Sequence, residues 1–164
     1  MLAARSIIEL FGCIVVAALA CGCEESNMRS SSMSPTIAQG EKVTIDYSAY
    51  AISQPKRWDV VAFEPPSGSN ETWLFRVVAL PGERVEFASN GIAVNGRPLA
   101  LPAKLTNISY LSMDAMRLRS TQSSPYVVPP SSYFLLGDNS PNANDSRYLG
   151  AIPKTNIVGR VRGK

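Results

Sequence analysis

The stretch ERVEFASNGIAVNGRPL, Glu83 to Leu99, decides the fold class of this chain. Its dipeptides Asn90-Gly91 and Asn95-Gly96 flank the short apolar segment IAV, and Asn-Gly between apolar residues is a strong short-range signal for a β-hairpin. Two-residue hairpin turns need a left-handed backbone, which asparagine and glycine tolerate best. The stretch therefore predicts short antiparallel strands joined by tight turns.

The segments on both sides of this hairpin also have the patterns of strands. Trp73 to Leu80 is an almost continuous apolar run, as expected for a strand buried on both faces, and Pro81-Gly82 ends it. Glu41 to Tyr47 alternates apolar and polar residues. Three more short strands are predicted at Asp59 to Phe63, Tyr133 to Leu136 and Asn156 to Val161. We predict a mostly β domain with bent antiparallel sheets, barrel-like in shape.

Length and composition agree with one such domain. The chain has 164 residues, and its twelve prolines and eleven glycines favour turns over a helical bundle. We place the β domain at residues 24–164, with an insertion at 102–125, where the sequence has no sustained period. The net charge is +3 and the basic residues are scattered, so no nucleic-acid partner is expected.

The chain contains no histidine, which excludes Ser-His-Asp and Cys-His catalysis. A catalytic zinc site lacks its usual ligands, so we expect neither a metal nor another cofactor. All three cysteines lie within residues 1–23, which leaves the rest of the chain without a thiol nucleophile. Nucleophilic chemistry would need another base, commonly lysine, and the candidates are Lys42, Lys56, Lys104, Lys154 and Lys164.

Residues 1–23 have the pattern of a membrane-targeting segment. Leu10 to Cys23 carries no charge, follows Arg5, and is shorter than the roughly 20 residues of a spanning helix. One interpretation is an uncleaved hydrophobic anchor helix, and another is a lipoprotein-type signal in which Cys21 or Cys23 is lipidated. A third is a buried helix of the domain. Both membrane interpretations tether the domain to lipid on the extracytoplasmic side, at a bacterial inner membrane.

Four segments, in order, resemble the motifs of the type I signal peptidases, membrane-bound serine endopeptidases that cut signal sequences from exported preproteins. Ser-Met-x-Pro-Thr, the nucleophile motif, is similar to Ser32-Met33-Ser34-Pro35-Thr36. The other three segments resemble a Gly-Asp-Ile-Val-Val-Phe strand, a Lys-Arg strand ending in Leu-Pro-Gly, and a Gly-Asp-Asn loop ending in Asp-Ser-Arg. They are Trp58 to Phe63, Arg76 to Glu83, and Gly137 to Arg147.

The resemblance implies a signal-peptidase fold, an extended peptide substrate and a set of roles. Ser32 would be the nucleophile, and Ser30 would help to form the oxyanion hole. The family's base is a neutral lysine on the strand before Leu-Pro-Gly. Supporting positions carried over from the motifs are Met33, Pro35, Arg76, Asp138, Asn139, Ala143, Asp145 and Arg147.

Two positions depart from the family pattern. Aligning Arg76 and Leu80-Pro81-Gly82 places Phe75 where the family has its lysine, and a phenyl ring cannot accept a proton. The serine that bonds the lysine in the family falls on Ala143. Phe75 is then a core aromatic, unless the alignment slips or a base comes from elsewhere. Two hypotheses stay open: an endopeptidase that cuts after small residues, and an inactive pseudopeptidase that binds or chaperones exported chains.

Overall fold

The computed structural model describes residues 22–66, 68, 71–88, 91–105, 107–111 and 124–164. Its regular structure is dominated by strands, and one short α-helix, α1 (Ser146–Leu149), is present in these ranges. Short 3₁₀ turns lie at Ala103–Leu105, Ser140–Asn142 and Lys154–Asn156. The strands are β1 (Cys23–Asn27), β2 (Lys42–Asp46), β3 (Val60–Phe63), β4 (Trp73–Ala79), β5 (Arg84–Ala88), β6 (Gly91–Val94), β7 (Arg97–Pro98), β8 (Tyr126–Val127), β9 (Ser132–Leu136), β10 (Ile152–Pro153) and β11 (Ile157–Val161).

These strands form two antiparallel sheets. The larger sheet has the order β1-β2-β11-β3-β4-β9-β10, and the smaller has the order β7-β6-β5-β8. The predicted mostly β, antiparallel class is therefore confirmed. The barrel-like shape is wrong, because the described larger sheet ends in β1 on one side and β10 on the other and stays open. Register shifts within the β3–β11 and β4–β9 pairs give this sheet its irregularities.

Strand β4 connects the two cores of the domain. It pairs with β3 on one side and β9 on the other, and six of its seven residues are buried. Phe75 and Val77 belong to one hydrophobic cluster, while Val78 and Ala79 belong to the second. Both faces of β4 are thus covered, which is why its sequence is a continuous apolar run rather than an alternating one.

The predicted hairpin is present in the smaller sheet. Strands β6 and β7 are joined by Asn95 and Gly96, whose φ angles of 53° and 75° are both left-handed, as a two-residue hairpin turn requires. Strand β5 pairs with β6 in register from Val85↔Val94 to Ala88↔Gly91. Asn90 itself lies outside the described residues.

Two sequence predictions fall wholly or partly on residues that the structure does not describe. The anchor or signal segment at 1–23 is described only from Gly22 onward, where β1 begins at Cys23, so Cys21 is not covered. Of the insertion at 102–125, residues 112–123 and residue 106 are not covered. No helix within the described ranges combines the length and apolar character needed to cross a membrane.

Candidate active site

Ser30 and Ser32 lie on a loop between β1 and β2. Ser32 is only 6 % exposed, and its Oγ lies 2.9 Å from Ser30 Oγ. The backbone N–H of Ser32 also donates to Ser30 Oγ at 3.4 Å. The two hydroxyl groups that the resemblance assigns to the nucleophile and the oxyanion hole are therefore in direct contact.

The loop that contains Ser30 and Ser32 is held in place by buried side chains and by hydrogen bonds from Asn139. Met33 and Ile37 are fully buried, and the N–H of Ile37 donates to the carbonyl of Met33. Asn139 binds the loop twice, with its backbone N–H on the carbonyl of Ser32 and its Nδ2 on the carbonyl of Ser31. Pro35 is exposed on the outer side of the turn. The position of Ser32 thus depends on buried apolar contacts and on the loop that contains Asn139.

Phe75 occupies a packed aromatic environment on β4. It is 3 % exposed and lies opposite Val61 of β3. Its ring centroid lies 5.5 Å from that of Phe63 and 6.2 Å from that of Trp73. Such ring pairs contribute packing energy, but none of these three side chains can take up a proton.

Gly137 is the point where three of the predicted site positions meet. A Cβ added there would lie 2.4 Å from the Cβ of Ala143, 2.7 Å from the carbonyl oxygen of Ser32 and 3.2 Å from Cε1 of Phe75. Only glycine lets the backbone pass through so narrow a space. The structure therefore brings Ser32, Phe75 and Ala143 together, although they are far apart in the sequence.

A buried ion pair holds the Asp138 end of the loop after β9. Nε and Nη2 of Arg76 donate to the two carboxylate oxygens of Asp138 at 2.9 and 2.6 Å, and both side chains are fully buried. Arg76 also donates to the carbonyl of Trp58 at 2.9 Å and to Thr36 Oγ1 at 3.4 Å. Through Thr36, this ion pair is linked to the loop that contains Ser32.

A second buried pair closes the other end of the same loop. Nε and Nη2 of Arg147 donate to the carboxylate of Asp145 at 2.7 and 2.8 Å, and the N–H of Gly137 donates to it at 2.9 Å. Burial raises the pKa of Asp145, and the hydrogen bonds that the carboxylate accepts act against that rise. Arg147 also donates to the carbonyl of Ser140. Together these bonds set the path of the backbone beside Ser32.

The Ser32 cleft is a cavity of about 490 Å³ between β1 and the start of β4. Its wall combines apolar and aromatic side chains with hydroxyl, amide and carboxylate groups. The lining residues are Glu24, Ser26, Asn27, Met28, Arg29, Ser30, Ser32, Ile45, Tyr47, Glu71, Thr72, Trp73, Leu74, Phe75, Asn142 and Asn144.

All five lysines lie within the described residues, and none of them lines this cleft. Lys42 pairs with Glu25 on the edge of the larger sheet. Lys164 donates to the carbonyl of Thr36 but is engaged by Glu41 at 2.6 Å. That hydrogen bond is the main reason why the pKa of Glu41 is lowered. The remaining three are Lys56, Lys104 and Lys154, and Lys154 contacts Tyr50. The cleft is therefore lined by the Ser32 hydroxyl and by no lysine amine.

Sequence reasoning missed several contacts around the site. Ser140 is buried, and its Oγ accepts the N–H of Leu111 at 3.3 Å. Tyr110 donates to Asp138 at 3.4 Å, and burial raises the pKa of this phenol. Tyr110 and Leu111 belong to the insertion, whose sequence has no period that could have indicated this contact.

No group of three or more metal-binding side chains is found in the described ranges.

The comparisons with known proteins point to one family. The profile described as "Signal peptidase, peptidase S26" matches residues 3–163. A signal peptidase I of Leptolyngbya laminosa is 31 % identical over 139 residues, which cover 80 % of this chain and 63 % of that protein. A probable signal peptidase I-1 of Synechocystis is 33 % identical over 140 residues, covering 80 % of this chain and 65 % of that protein.

Relatives from two other bacteria have similar identities. A signal peptidase IB of Staphylococcus aureus is 29 % identical over 141 residues, covering 82 % of this chain and 73 % of that protein. The crystal structure of a signal peptidase I from Enterococcus faecalis superposes with a TM-score of 0.48 at 28 % identity, covering 66 % of this chain and 97 % of that one. The chain spans less than two thirds of the length of the Leptolyngbya and Synechocystis proteins.

Proposed function

Because the chain belongs to the signal peptidase family S26, we propose that it binds signal sequences of exported preproteins as extended peptides in the Ser32 cleft, and does so with little or no cleavage. The main support for this proposal is that Ser32, Phe75 and Ala143 all lie next to Gly137. The motif alignment puts Phe75 at the position where the resemblance implies a basic amine, and Phe75 is a buried phenyl ring.

The consequence for catalysis follows from what a serine nucleophile needs. A hydroxyl attacks a peptide carbonyl only when a base takes its proton, and that base contributes about 10²–10⁴ in rate. Ser32 Oγ is hydrogen-bonded to Ser30 Oγ, another hydroxyl with no capacity to hold the proton at neutral pH. Peptide binding and the oxyanion-hole contacts would then be the only remaining contributions to catalysis.

A second candidate function is a working endopeptidase with Ser32 as nucleophile. The contact between Ser30 and Ser32 favours it, because the proposed oxyanion-hole hydroxyl lies directly beside the proposed, buried nucleophile. In that case a base from another protein or from an unrecognised group would act, and cleavage would follow a small residue. Cutting of a preprotein that disappears in Ser32→Ala would support this candidate over the first.

We further propose that the domain is tethered to lipid on the extracytoplasmic side of a bacterial membrane. The uncharged run from Leu10 to Cys23 supports this, either as an anchor or as a lipoprotein signal with Cys21 or Cys23 lipidated. The intact mass of the purified protein distinguishes the two: a diacylglyceryl adduct on a chain beginning at Cys21 or Cys23 identifies the lipoprotein form. An unmodified full-length chain identifies the anchor.

Binding in the Ser32 cleft is tested with the full chain and a fluorescently labelled preprotein. Trp73 lines the cleft, so Trp73→Ala should weaken binding, while Val127→Ala, an exposed position on the smaller sheet, should leave it unchanged. Equal affinity of both variants and wild type would place the peptide elsewhere. No measurable binding by wild type would contradict the proposal.

A further inference from the structure

A second cavity, the Trp58 pocket, lies at the edge of the smaller sheet. Its volume is about 440 Å³, within the range of protein sites that bind ligands. Its lining includes Arg57, Trp58, Glu83, Asn95, Arg97 and Pro98. None of these residues lines the Ser32 cleft, so the Trp58 pocket is a separate site.

Trp58 has a backbone conformation that is unusual for a tryptophan. Its φ angle is 78°, in the left-handed region that favours glycine and that bulky residues rarely adopt. Glycine is also the first residue of the Gly-Asp-Ile-Val-Val-Phe motif that Trp58 to Phe63 resembles. Residues in such conformations are concentrated at binding and catalytic sites. The unfavourable backbone of Trp58 therefore indicates a role for its side chain.

Hydrogen bonds hold Trp58 in this conformation. Its N–H donates to the carbonyl of Val77 at 2.8 Å, and its own carbonyl accepts Nη1 of Arg76 at 2.9 Å. The indole ring is half-buried and packs against the second hydrophobic cluster. Within the part of the chain that the structure describes, its Nε1–H has no acceptor. The ring is thus held in the pocket with a hydrogen-bond donor available to a ligand.

The carboxylate that lines the pocket, that of Glu83, is already engaged by the protein. It accepts Nη2 of Arg57 at 2.5 Å, the N–H of Leu80 at 2.7 Å and Nδ2 of Asn95 at 3.3 Å. Nη1 of Arg57 donates to the carbonyl of Val78, which fixes this guanidinium group in the wall. The charge of Glu83 is therefore offset by Arg57 and does not determine which ligand the pocket accepts.

Arg97 adds a second guanidinium group to the pocket. It is exposed on β7, which is the edge strand of the smaller sheet. Among the described residues, its side chain has no ion-pair or hydrogen-bond partner. Pro98, the next residue, has no N–H, so the outer edge of β7 is poorly suited to adding a peptide strand. A ligand would therefore be bound by side-chain donors.

We propose that the Trp58 pocket binds an acidic segment of another protein, whose carboxylates accept hydrogen bonds from Arg97 and from the indole N–H of Trp58. Arginine matches the geometry of a carboxylate, and tryptophan and arginine are enriched at the centres of protein interfaces. Because Asn95, Arg97 and Pro98 are exposed, the pocket is open to solvent and suits part of a longer chain better than an enclosed small molecule. This inference goes beyond the proposed function, because it concerns a separate pocket and holds whether or not Ser32 cuts.

The test uses the full chain with Trp73→Phe, which leaves Trp58 as the only tryptophan. Trp73 does not line the Trp58 pocket. The probe is a hexapeptide of alternating aspartate and glutamate, and the control peptide alternates asparagine and glutamine. At low salt the acidic peptide should change the emission of Trp58 until the site is saturated, and the amide peptide should not. Added salt should weaken the binding of the acidic peptide.

Variants separate the two proposed contacts. Arg97→Gln should weaken binding of the acidic peptide about fivefold, as for one exposed ion pair. The matched control, Arg160→Gln, removes an exposed cation from β11 of the larger sheet and should leave binding unchanged. Trp58→Gly should weaken binding roughly thirtyfold, as for an aromatic residue at the centre of an interface. It is followed by the anisotropy of a fluorescein-labelled peptide, after circular dichroism has shown that the variant is folded.

Three results would overturn the proposal. The first is equal affinity of Arg97→Gln and Arg160→Gln, or no saturable change in the emission of Trp58. The second is equal binding of the amide peptide, since carboxylates would then not be what the pocket recognises. The third is displacement of the acidic peptide by an equal concentration of citrate, which would identify a site for small carboxylates instead.

Discussion

Replacing Phe75 by lysine and Ala143 by serine should together give this chain a peptidase activity. Phe75 is 3 % exposed between two other aromatic rings, so an amine there would lose its hydration. Full burial lowers a lysine pKa by up to about 3–5 units from about 10.4. The new amine would then be neutral at pH 9 and able to accept the proton of Ser32. Ala143, which meets Phe75 at Gly137, is placed to provide the hydroxyl that orients it.

The same burial sets the cost in stability. The unfolded chain keeps the lysine protonated up to about pH 10.4, while the folded chain must release the proton, so the unfolded state binds more protons and stability rises with pH. At 1.36 kcal/mol per pH unit, the penalty is about 4.5 kcal/mol at pH 7 and about 2 kcal/mol at pH 9. The assay is therefore run at pH 9, after circular dichroism and thermal unfolding have shown that the variant is folded.

The measurement is the rate of preprotein cleavage by the full-length double variant, followed by mass spectrometry. The matched control carries Phe75→Met with Ala143→Ser, since methionine has a similar unbranched stem and no amine. We expect the lysine variant to cut about 10²–10⁴-fold faster than this control, and to lose that activity when Ser32→Ala is added. A lysine variant that is folded and binds preprotein, yet cuts no faster than the methionine control, would refute the reasoning.

Three further predictions concern stability and pH. Asp138→Ala should destabilise the fold by about 3–5 kcal/mol, since it leaves the fully buried Arg76 without its charge partner; denaturant unfolding measures this, and a loss below 1 kcal/mol would show that the pair is dispensable. Tyr110→Phe should cost about 0.5–1.5 kcal/mol, the value of one hydrogen bond, and an unchanged unfolding midpoint would remove Tyr110 from the support of Asp138. Hydrogen bonds from Ser48, then from Arg162, lower the pKa of Asp46 in the folded protein. Ser48→Ala should therefore destabilise the fold at pH 7, and this loss of stability should disappear as the pH falls below the ordinary aspartate pKa near 3.8. A loss of stability that is equal at pH 7 and pH 2 would contradict this direction.

Local patterns in the sequence were enough to predict the hairpin and the strands that contain strongly apolar runs. Strand β1 gave no such signal, because Cys23 to Asn27 is polar and almost entirely exposed on the edge of the sheet. Its pairing with β2 depends on the neighbouring strand rather than on its own composition. Whether the sheet closes is likewise a long-range property, set by which strands end up at its edges, and the barrel-like expectation failed for that reason.

The residues of the candidate site could be predicted from the sequence only where they belong to a motif. Alignment to Arg76 and Leu80-Pro81-Gly82 pointed to Phe75, and the motif at Gly137 to Arg147 pointed to Ala143. The structure places both beside Gly137 and Ser32. The contacts of Tyr110 and Ser140 could not be anticipated, because they join the insertion to the loop after β9 through single hydrogen bonds. Such hydrogen bonds depend on the positions of individual side chains, which the periodicity of a sequence does not predict.

The central claim is that the Ser32 cleft keeps peptide binding without an effective base. Its most direct test is a time course of a labelled preprotein with the purified wild-type chain, its N-terminal segment included, beside the Ser32→Ala variant. We predict that both proteins bind the preprotein equally and that neither produces a cleaved product above the rate without protein. Cleavage by wild type that is absent in Ser32→Ala would contradict the account and show that Ser32 obtains a base from elsewhere.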